Sequence, residues 1–210
     1  MNNKDNWAFY DNMPQRTLTK RFEKPSGLDG ALELDLIQNL WKPASSILEV
    51  GAGEGRIIQG LIERKYNGDI YAVERSNNLC KFLFNNFSDF KNVHVLKMNL
   101  NEDNLPKANL GLWLWSGILE FSKDQQSDLI RKIRKNVPIL VIDAIHIKSK
   151  NNATSQNGQY AEIKTDWGII RAYIPTEEDI KSYAKKADSY LKKVIYYKTK
   201  TGRDRLMYIL

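Results

Sequence analysis

Ile47-Leu48-Glu49-Val50-Gly51-Ala52-Gly53-Glu54-Gly55-Arg56 decides the fold of this 210-residue chain. An apolar run carrying one acid meets a glycine-rich turn, and a helical pattern follows at once. The run is short and β-branched, so it reads as a buried strand. The glycines allow positive φ and let a ligand approach without meeting a Cβ. The helix then opens with free N–H groups facing that ligand. Strand, bare turn and helix N-terminus together make a cradle for a nucleotide-type cofactor. Arg56 stands where a dinucleotide fingerprint, G-x-G-x-x-G, has its third glycine. That argues against an NAD-linked oxidoreductase.

Outward from this turn, strands alternate with helices. On the N-terminal side, Leu28, Leu32, Leu36 and Leu40 recur at helical spacing, predicting one helix over residues 26–41 with Ser26 as N-cap. On the other side, Ile57, Ile58, Leu61 and Ile62 mark a crossover helix ended by Asn67-Gly68. Residues 70–73 form a second strand ending in Glu74, and Ser76 caps a helix carrying Leu79, Phe82, Leu83 and Phe87. Residues 93–98, 110–115 and 138–142 read as strands three to five, with a capping box at Ser122-x-x-Gln125 between the last two. This alternation predicts right-handed crossovers and a parallel sheet covered on both faces.

Beyond it the character changes. Residues 148–159 are polar and read as a mobile loop. Residues 160–174, with Asp166-Trp167-Gly168, suggest a short hairpin or extended excursion. Thr176-x-x-Asp179 caps a helix, and residues 194–198 and 206–210 close the chain as a strand hairpin around Thr201-Gly202-Arg203. Residues 1–25 show scattered aromatics without a period and are expected to be a lid or arm.

Composition sets bounds. With 42% hydrophobic residues the chain can build a sizeable core. No run reaches the ~18 apolar residues of a membrane span. Met1-Asn2-Asn3-Lys4-Asp5 lacks a secretory h-region, and the one cysteine, Cys80, fits a reducing compartment, so a cytoplasmic location is expected. Asn152-Ala153-Thr154 matches a glycosylation sequon, read as chance without a secretory route. Cys80 reads as a small packed residue, and two histidines cannot alone make a zinc site, so no metal is expected. The charge of +7 and pI near 9.3 would suit RNA or an acidic partner, but the basic residues are spread along the chain.

Residues 49–55 resemble motif I of the class I S-adenosylmethionine (AdoMet)-dependent methyltransferases, written E/D-x-G-x-G-x-G. The order of elements is similar to that family over residues 26–210. The resemblance implies an α/β fold: a Rossmann-like, doubly wound, mostly parallel seven-stranded sheet with a C-terminal antiparallel hairpin, forming a single methyltransferase domain behind the 1–25 arm. It implies AdoMet as cofactor. Gly51, Ala52 and Gly53 would pass beneath its amino acid part, and Glu49 would bind the amino group. Glu74, 23 residues after Gly51, would accept from the ribose hydroxyls, with Arg75 and Ser76 beside the adenine. Asn99 stands where the family often has Asp at the adenine amine, with the Leu100 N–H nearby and Asn101 as the competing candidate. Residues 111–121 resemble motif IV and its sequel, but Gly111 replaces the usual acid and Phe121 the common histidine. Trp115, near the strand end, is a candidate contact to cofactor or substrate, whereas Trp113 reads as core.

The acceptor is less constrained. Methyl transfer needs a base only when the attacking atom carries a proton. Candidates near the strand ends are Glu120, His146 and Tyr10, with Asp143, Tyr160, Trp167 and Arg171 further off. The leading expectation is a small-molecule acceptor. Alternatives are an RNA or protein methyltransferase using the basic C-terminal surface, and a non-catalytic AdoMet-binding module.

Overall fold

The computed structural model describes residues 3–149 and 153–210. The polar loop and the sequon at Asn152 thus fall partly outside the described residues. The chain begins with helix α1 (Asn3–Asn12), then a π-helical turn (Leu18–Glu23) that runs into the single turn α2 (Lys24–Ser26). Two further single turns follow, α3 (Glu33–Leu36) and α4 (Gln38–Trp41). The alternating part comprises β1 (Ser46–Val50), α5 (Arg56–Glu63), β2 (Asp69–Glu74), α6 (Asn77–Phe87), β3 (Val93–Lys97), β4 (Leu110–Trp113), a 3-10 turn (Gly117–Glu120), α7 (Lys123–Arg134) and β5 (Leu140–Ile145). A small excursion holds β6 (Ser155–Asn157), β7 (Tyr160–Thr165) and β8 (Gly168–Tyr173), and the chain closes with α8 (Glu177–Lys186), β9 (Lys193–Lys198) and β10 (Asp204–Ile209).

The main sheet has the order β3-β2-β1-β4-β5-β10-β9. Its first five strands are parallel, and β10 runs antiparallel to both β5 and β9. Because side chains alternate along a strand, β1 feeds two cores. Leu48 and Val50 join the core under α7 and α8, while Ile47 faces the core under α3, α4 and α5. Neighbours on either side of β1 are β2 and β4, reached in opposite directions. That reversal opens a crevice at the carboxyl ends of β1 and β4, where doubly wound sheets bind ligands. The three-stranded antiparallel sheet β6-β7-β8 stands apart from the main sheet. It lies against α1 and the 3-10 turn.

Four expectations are corrected. Residues 26–41 are not one helix: Ser26 ends a turn, Gly27 and Ala31 are left-handed (φ 71° and 51°), and only α3 and α4 survive as short turns. A leucine every fourth residue imitates a helical face, but Gly30 and Ala31, between the first two leucines, are left-handed and break the helix. The fourth strand stops at Trp113, because Trp115 and Ser116 take φ of 50° and 63°. The crossover helix ends at Glu63 with Lys65 left-handed, before Asn67-Gly68 is reached. Strand five runs later than expected, so Asp143 lies within β5 and is fully buried. The aperiodic N-terminus holds a helix, and its Phe9 is 0% exposed.

No helix among the described residues is long and apolar enough to cross a membrane.

Candidate functional site

A cavity of about 290 Å³ opens at the carboxyl ends of β1, β2 and β4. The glycine turn forms its floor. Gly51 has φ 71°, and a Cβ built there would meet nothing within 4 Å, so the backbone is bare toward open space. Gly55 is bare for a different reason: a Cβ would lie 2.3 Å from the Phe87 ring, so its absence lets α6 close against α5.

Two acids from the strand ends line this cavity. Glu49 is 4% exposed, and its Oε2 has no hydrogen-bond partner among the described residues. Burial lifts its carboxyl to about 8, with Glu74 and Glu33 adding to the rise and Arg56 opposing it. An orphaned buried carboxyl is costly unless something pairs with it. Glu74 is equally buried but held: it accepts the Gly53 N–H at 3.0 Å and the N–H groups of Arg75 and Ser76 at 2.8 Å each. Burial still raises its carboxyl, against those three donors.

Across the cavity, the Tyr10 hydroxyl donates to Glu120 in a short hydrogen bond. Burial lifts Glu120 to about 7; the Tyr10 bond and Arg75 oppose the rise, and the charge of Glu74 supports it. Burial also raises the Tyr10 phenol. The pair is positioned by α1. Asn6 donates to the backbone oxygens of Glu120 (3.1 Å) and Arg171 (2.9 Å) and accepts the Arg171 N–H at 2.8 Å. Arg171 in turn pairs with Asp5 and Glu162. On its other side α1 meets Arg75, which donates to the Trp7 carbonyl at 3.1 Å and lies over the Trp7 ring at 5.0 Å.

The left-handed pair Trp115-Ser116 lies at the cavity wall and is pinned from behind. Ser116 donates its N–H to Asp143 O at 3.0 Å, and its hydroxyl accepts from Arg205 at 2.7 Å. Arg205 forms a buried ion pair with Asp143, which also accepts from the Tyr197 hydroxyl at 2.8 Å. Two non-glycine residues at positive φ cost on the order of 1–3 kcal/mol each. This network is what holds them there.

Solved structures with the same architecture are numerous. The CcbJ methyltransferase from Streptomyces caelestis matches with a TM-score of 0.71 at 13% identity, over 96% of this chain and 98% of that chain. A SAM-dependent methyltransferase from Leishmania major matches with 0.72 at 13%, over 99% and 82%. The 1,6-didemethyltoxoflavin-N1-methyltransferase of Burkholderia thailandensis, with bound 1,6-didemethyltoxoflavin and S-adenosylhomocysteine, matches with 0.67 at 14%, over 96% and 86%. No family model matches the chain, and no curated protein matches its sequence.

This is the class I methyltransferase fold.

Within that fold the residues singled out from sequence divide cleanly. Glu49, Gly51, Ala52, Gly53, Glu74, Arg75, Asn99, Leu100 and Trp115 all line the cavity, as do Tyr10 and Glu120. Asn101 instead borders a separate surface cleft beside α7, and its N–H is bound by the Asn99 side chain at 3.1 Å. His146 is not among the cavity residues; its Nδ1 accepts from the Lys148 N–H at 3.2 Å. Ser76 sits at the N-cap of α6, but its hydroxyl makes no capping bond. Trp167 packs on Phe9, and Tyr160 is 57% exposed. Among the described residues, no cluster of His, Cys, Asp and Glu could hold a metal ion.

Sequence reasoning missed the roof. Ala161 faces Ala172, and Ile163 faces Ile170, across β7 and β8, and all four line the cavity. The signal was there: these four alternate with Glu162, Lys164 and Arg171. Arg56 and Arg205 were also missed as lining residues.

Proposed function

We propose that the protein is an AdoMet-dependent methyltransferase whose acceptor is a small molecule held inside the cavity. The observation that carries this is the unpartnered, buried Glu49 carboxyl beside the bare Gly51 turn of a methyltransferase fold. Such a group fits an ammonium, and AdoMet presents one on its amino acid end. Glu74 offers the remaining part of the cradle. A carboxylate has about four acceptor positions, and three are taken by backbone N–H groups, so a ribose hydroxyl can bind the fourth and share the Gly53 side. Asn99, Leu100 and Trp115 would border the rest of the cofactor.

When bound, AdoMet supplies a methyl group on a sulfonium leaving group. The chain's own residues then have two tasks. The walls hold the acceptor in line, which is worth most when geometry is fixed. Glu120, lifted to about 7 and joined to Tyr10, can accept the proton that an N–H or O–H acceptor releases. Residues 1–25 act as a lid, with 26–210 as the catalytic domain.

The roof supports a small acceptor. Trp7, Ala161, Ile163, Ile170 and Ala172 enclose an apolar space, well suited to a compact ligand. The basic surface lends less to an RNA or protein acceptor, since Lys181, Lys198 and Lys200 pair with Glu177, Asp204 and Asp29. A carboxyl poised near neutrality inside the cavity favours an enzyme over a binding module.

The test is incubation with methyl-labelled AdoMet and fractionated cell extract. Label entering the small-molecule fraction is the expected result. Label confined to RNA or protein would overturn the acceptor class, and AdoMet binding without any labelled product would overturn catalysis.

A further inference from the structure

We propose that the acceptor is an amine that enters the cavity as an ammonium and is methylated on nitrogen, held between Glu120 and the aromatic walls; this deepens the methyltransferase reading above and rests on it.

The charge lining the cavity is lopsided. Glu23, Glu49, Glu54, Glu74 and Glu120 line it, and among the described residues none of the five forms an ion pair. Three of the four lining arginines are compensated by acids outside the lining: Arg56 by Glu33 at 2.7 Å, Arg75 by Asp11 at 3.2 Å, and Arg205 by Asp143. The fourth, Arg203, donates to the Pro25 carbonyl at 3.3 Å. Donors to the acids are scarce as well. Glu49 Oε2 and Glu54 Oε1 are buried without a partner. Glu120 Oε1 is taken by Tyr10, and no donor reaches Glu120 Oε2 among the described residues. AdoMet brings an ammonium for Glu49 and a sulfonium whose charge is lost in the reaction. Carboxyls kept from water without a partner are costly, so the cavity suits a second cation.

The walls suit that cation too. Ring faces attract ammonium and guanidinium groups, and two rings of the cavity already hold one: Arg75 lies over Trp7 at 5.0 Å and Arg56 over Trp115 at 5.5 Å. Tyr10 and Phe121 line the same cavity, and no cation lies over their rings among the described residues. Tyr10 reaches Glu120 through its hydroxyl, and Phe121 follows Glu120 in the chain. The acid with an oxygen to offer and two open rings thus come from neighbouring positions.

The groups facing Glu120 are Tyr10 from α1, Glu74 from the end of β2 and Arg75 just beyond it. Burial lifts its carboxyl to about 7, so it is partly ionised at neutral pH. The ammonium gives a proton to the Glu120 carboxylate. Its nitrogen then forms a bond to the methyl carbon as the carbon–sulfur pair returns to sulfur, leaving a neutral thioether and a methylated ammonium. Glu120 passes its proton to water. Positive charge therefore moves from sulfur to nitrogen inside a cavity of acids, which stabilise it where it develops. A phenol or thiol would instead attack as an anion, against the same carboxylates.

The experiment is incubation of the full chain with methyl-labelled AdoMet and the small-molecule fraction of a cell extract. The labelled product is then passed over a cation exchanger and its methyl resonance followed by nuclear magnetic resonance as the pH is varied. The expected product is retained in mild acid, and its methyl resonance moves as the amine titrates. A labelled small molecule that is not retained, or whose methyl resonance ignores pH, carries the group on oxygen, sulfur or carbon; it overturns the amine while leaving the methyltransferase reading intact. Absence of label from every small molecule overturns both. Glu120→Gln keeps the shape of the side chain but removes its charge and its place for the proton. With the retained fraction as acceptor, kcat should fall about 100-fold or more at pH 7 and recover as the pH rises toward the range where the amine loses its own proton. No loss, or a loss independent of pH, overturns the role given to Glu120. Should that variant not fold, the charge of the product decides alone.

Discussion

Asp179 and Glu49 are both buried carboxyls, 8% and 4% exposed, and they have opposite fates. Asp179 sits in the first turn of α8 and is saturated. It accepts from the Thr176 N–H (3.0 Å), the Thr176 hydroxyl (3.1 Å), Gln159 (2.7 Å) and Tyr173 (3.0 Å), and it pairs with Lys123 at 2.8 Å. Burial pushes its carboxyl up, but Lys123, Thr176, Gln159 and Tyr173 together hold it at about 2. Glu49, at the end of β1, has an oxygen with no partner and is lifted to about 8. The same residue chemistry and similar burial thus give a structural acid in one region and an unsatisfied one in the other. What separates them is whether the fold itself supplies the donors.

The contrast can be attacked from both ends. The largest effect is expected from Glu74→Ala, which removes the cavity carboxylate that the Gly53 N–H holds in place. AdoMet affinity should fall tenfold or more, since hydrogen bonds to a charged group are worth about 1.5–3 kcal/mol each. Unchanged affinity by calorimetry would sink the Glu74 assignment.

Glu49→Gln should weaken AdoMet by roughly tenfold and yet stabilise the ligand-free protein. The sign follows from the raised carboxyl. Its folded value of about 8 lies above the unfolded ~4.3. The protonated form's contribution is fully present below about pH 4 and is lost as the pH rises toward 8. The melting temperature of the variant should therefore pull ahead of the unaltered protein across that window. A constant gap would show that Glu49 does not titrate there.

Asp179→Asn should do the reverse. Stability at pH 7 should drop by about 1–3 kcal/mol, with AdoMet affinity untouched. Here the folded value lies below the unfolded ~3.9, so the contribution is present above about pH 4 and disappears as the pH falls toward 2. Denaturant melts at pH 7 and pH 3 should show the gap closing. The smallest effect belongs to His146→Ala, which lies outside the cavity. It should leave cofactor affinity unchanged and stability within about 0.5 kcal/mol, and any larger loss of affinity would place His146 in the site.

Much of this contrast was legible in the residues. Both capping boxes, Ser122 with Gln125 and Thr176 with Asp179, are formed where their spacing placed them. The acid-plus-glycine turn located the cavity, because that local chemistry needs no distant partner to be read. Segments whose conformation is set from far away were not legible. The α1 helix lacks a clean apolar face because it is covered from several directions; its buried Asn6 bonds β8 and the 3-10 turn, contacts 165 and 114 residues away. The leucines of 26–41 misled for a related reason. Leu28 is fully buried while Leu36 is 37% exposed, so the four-residue spacing never corresponded to one face. Trp115 was read as strand, but Arg205 and Asp143 turn the chain left-handed just beyond Trp113, and nothing local announces that.

The central claim is that the unsatisfied acid marks the cofactor site and the saturated one does not. Calorimetric titration of AdoMet into the unaltered protein, Glu49→Gln and Asp179→Asn at pH 7 tests it most directly. The account predicts binding by the unaltered protein, a loss of about tenfold in Glu49→Gln, and full retention in the folded fraction of Asp179→Asn. Absence of binding by the unaltered protein, or equal affinity for all three, would contradict it.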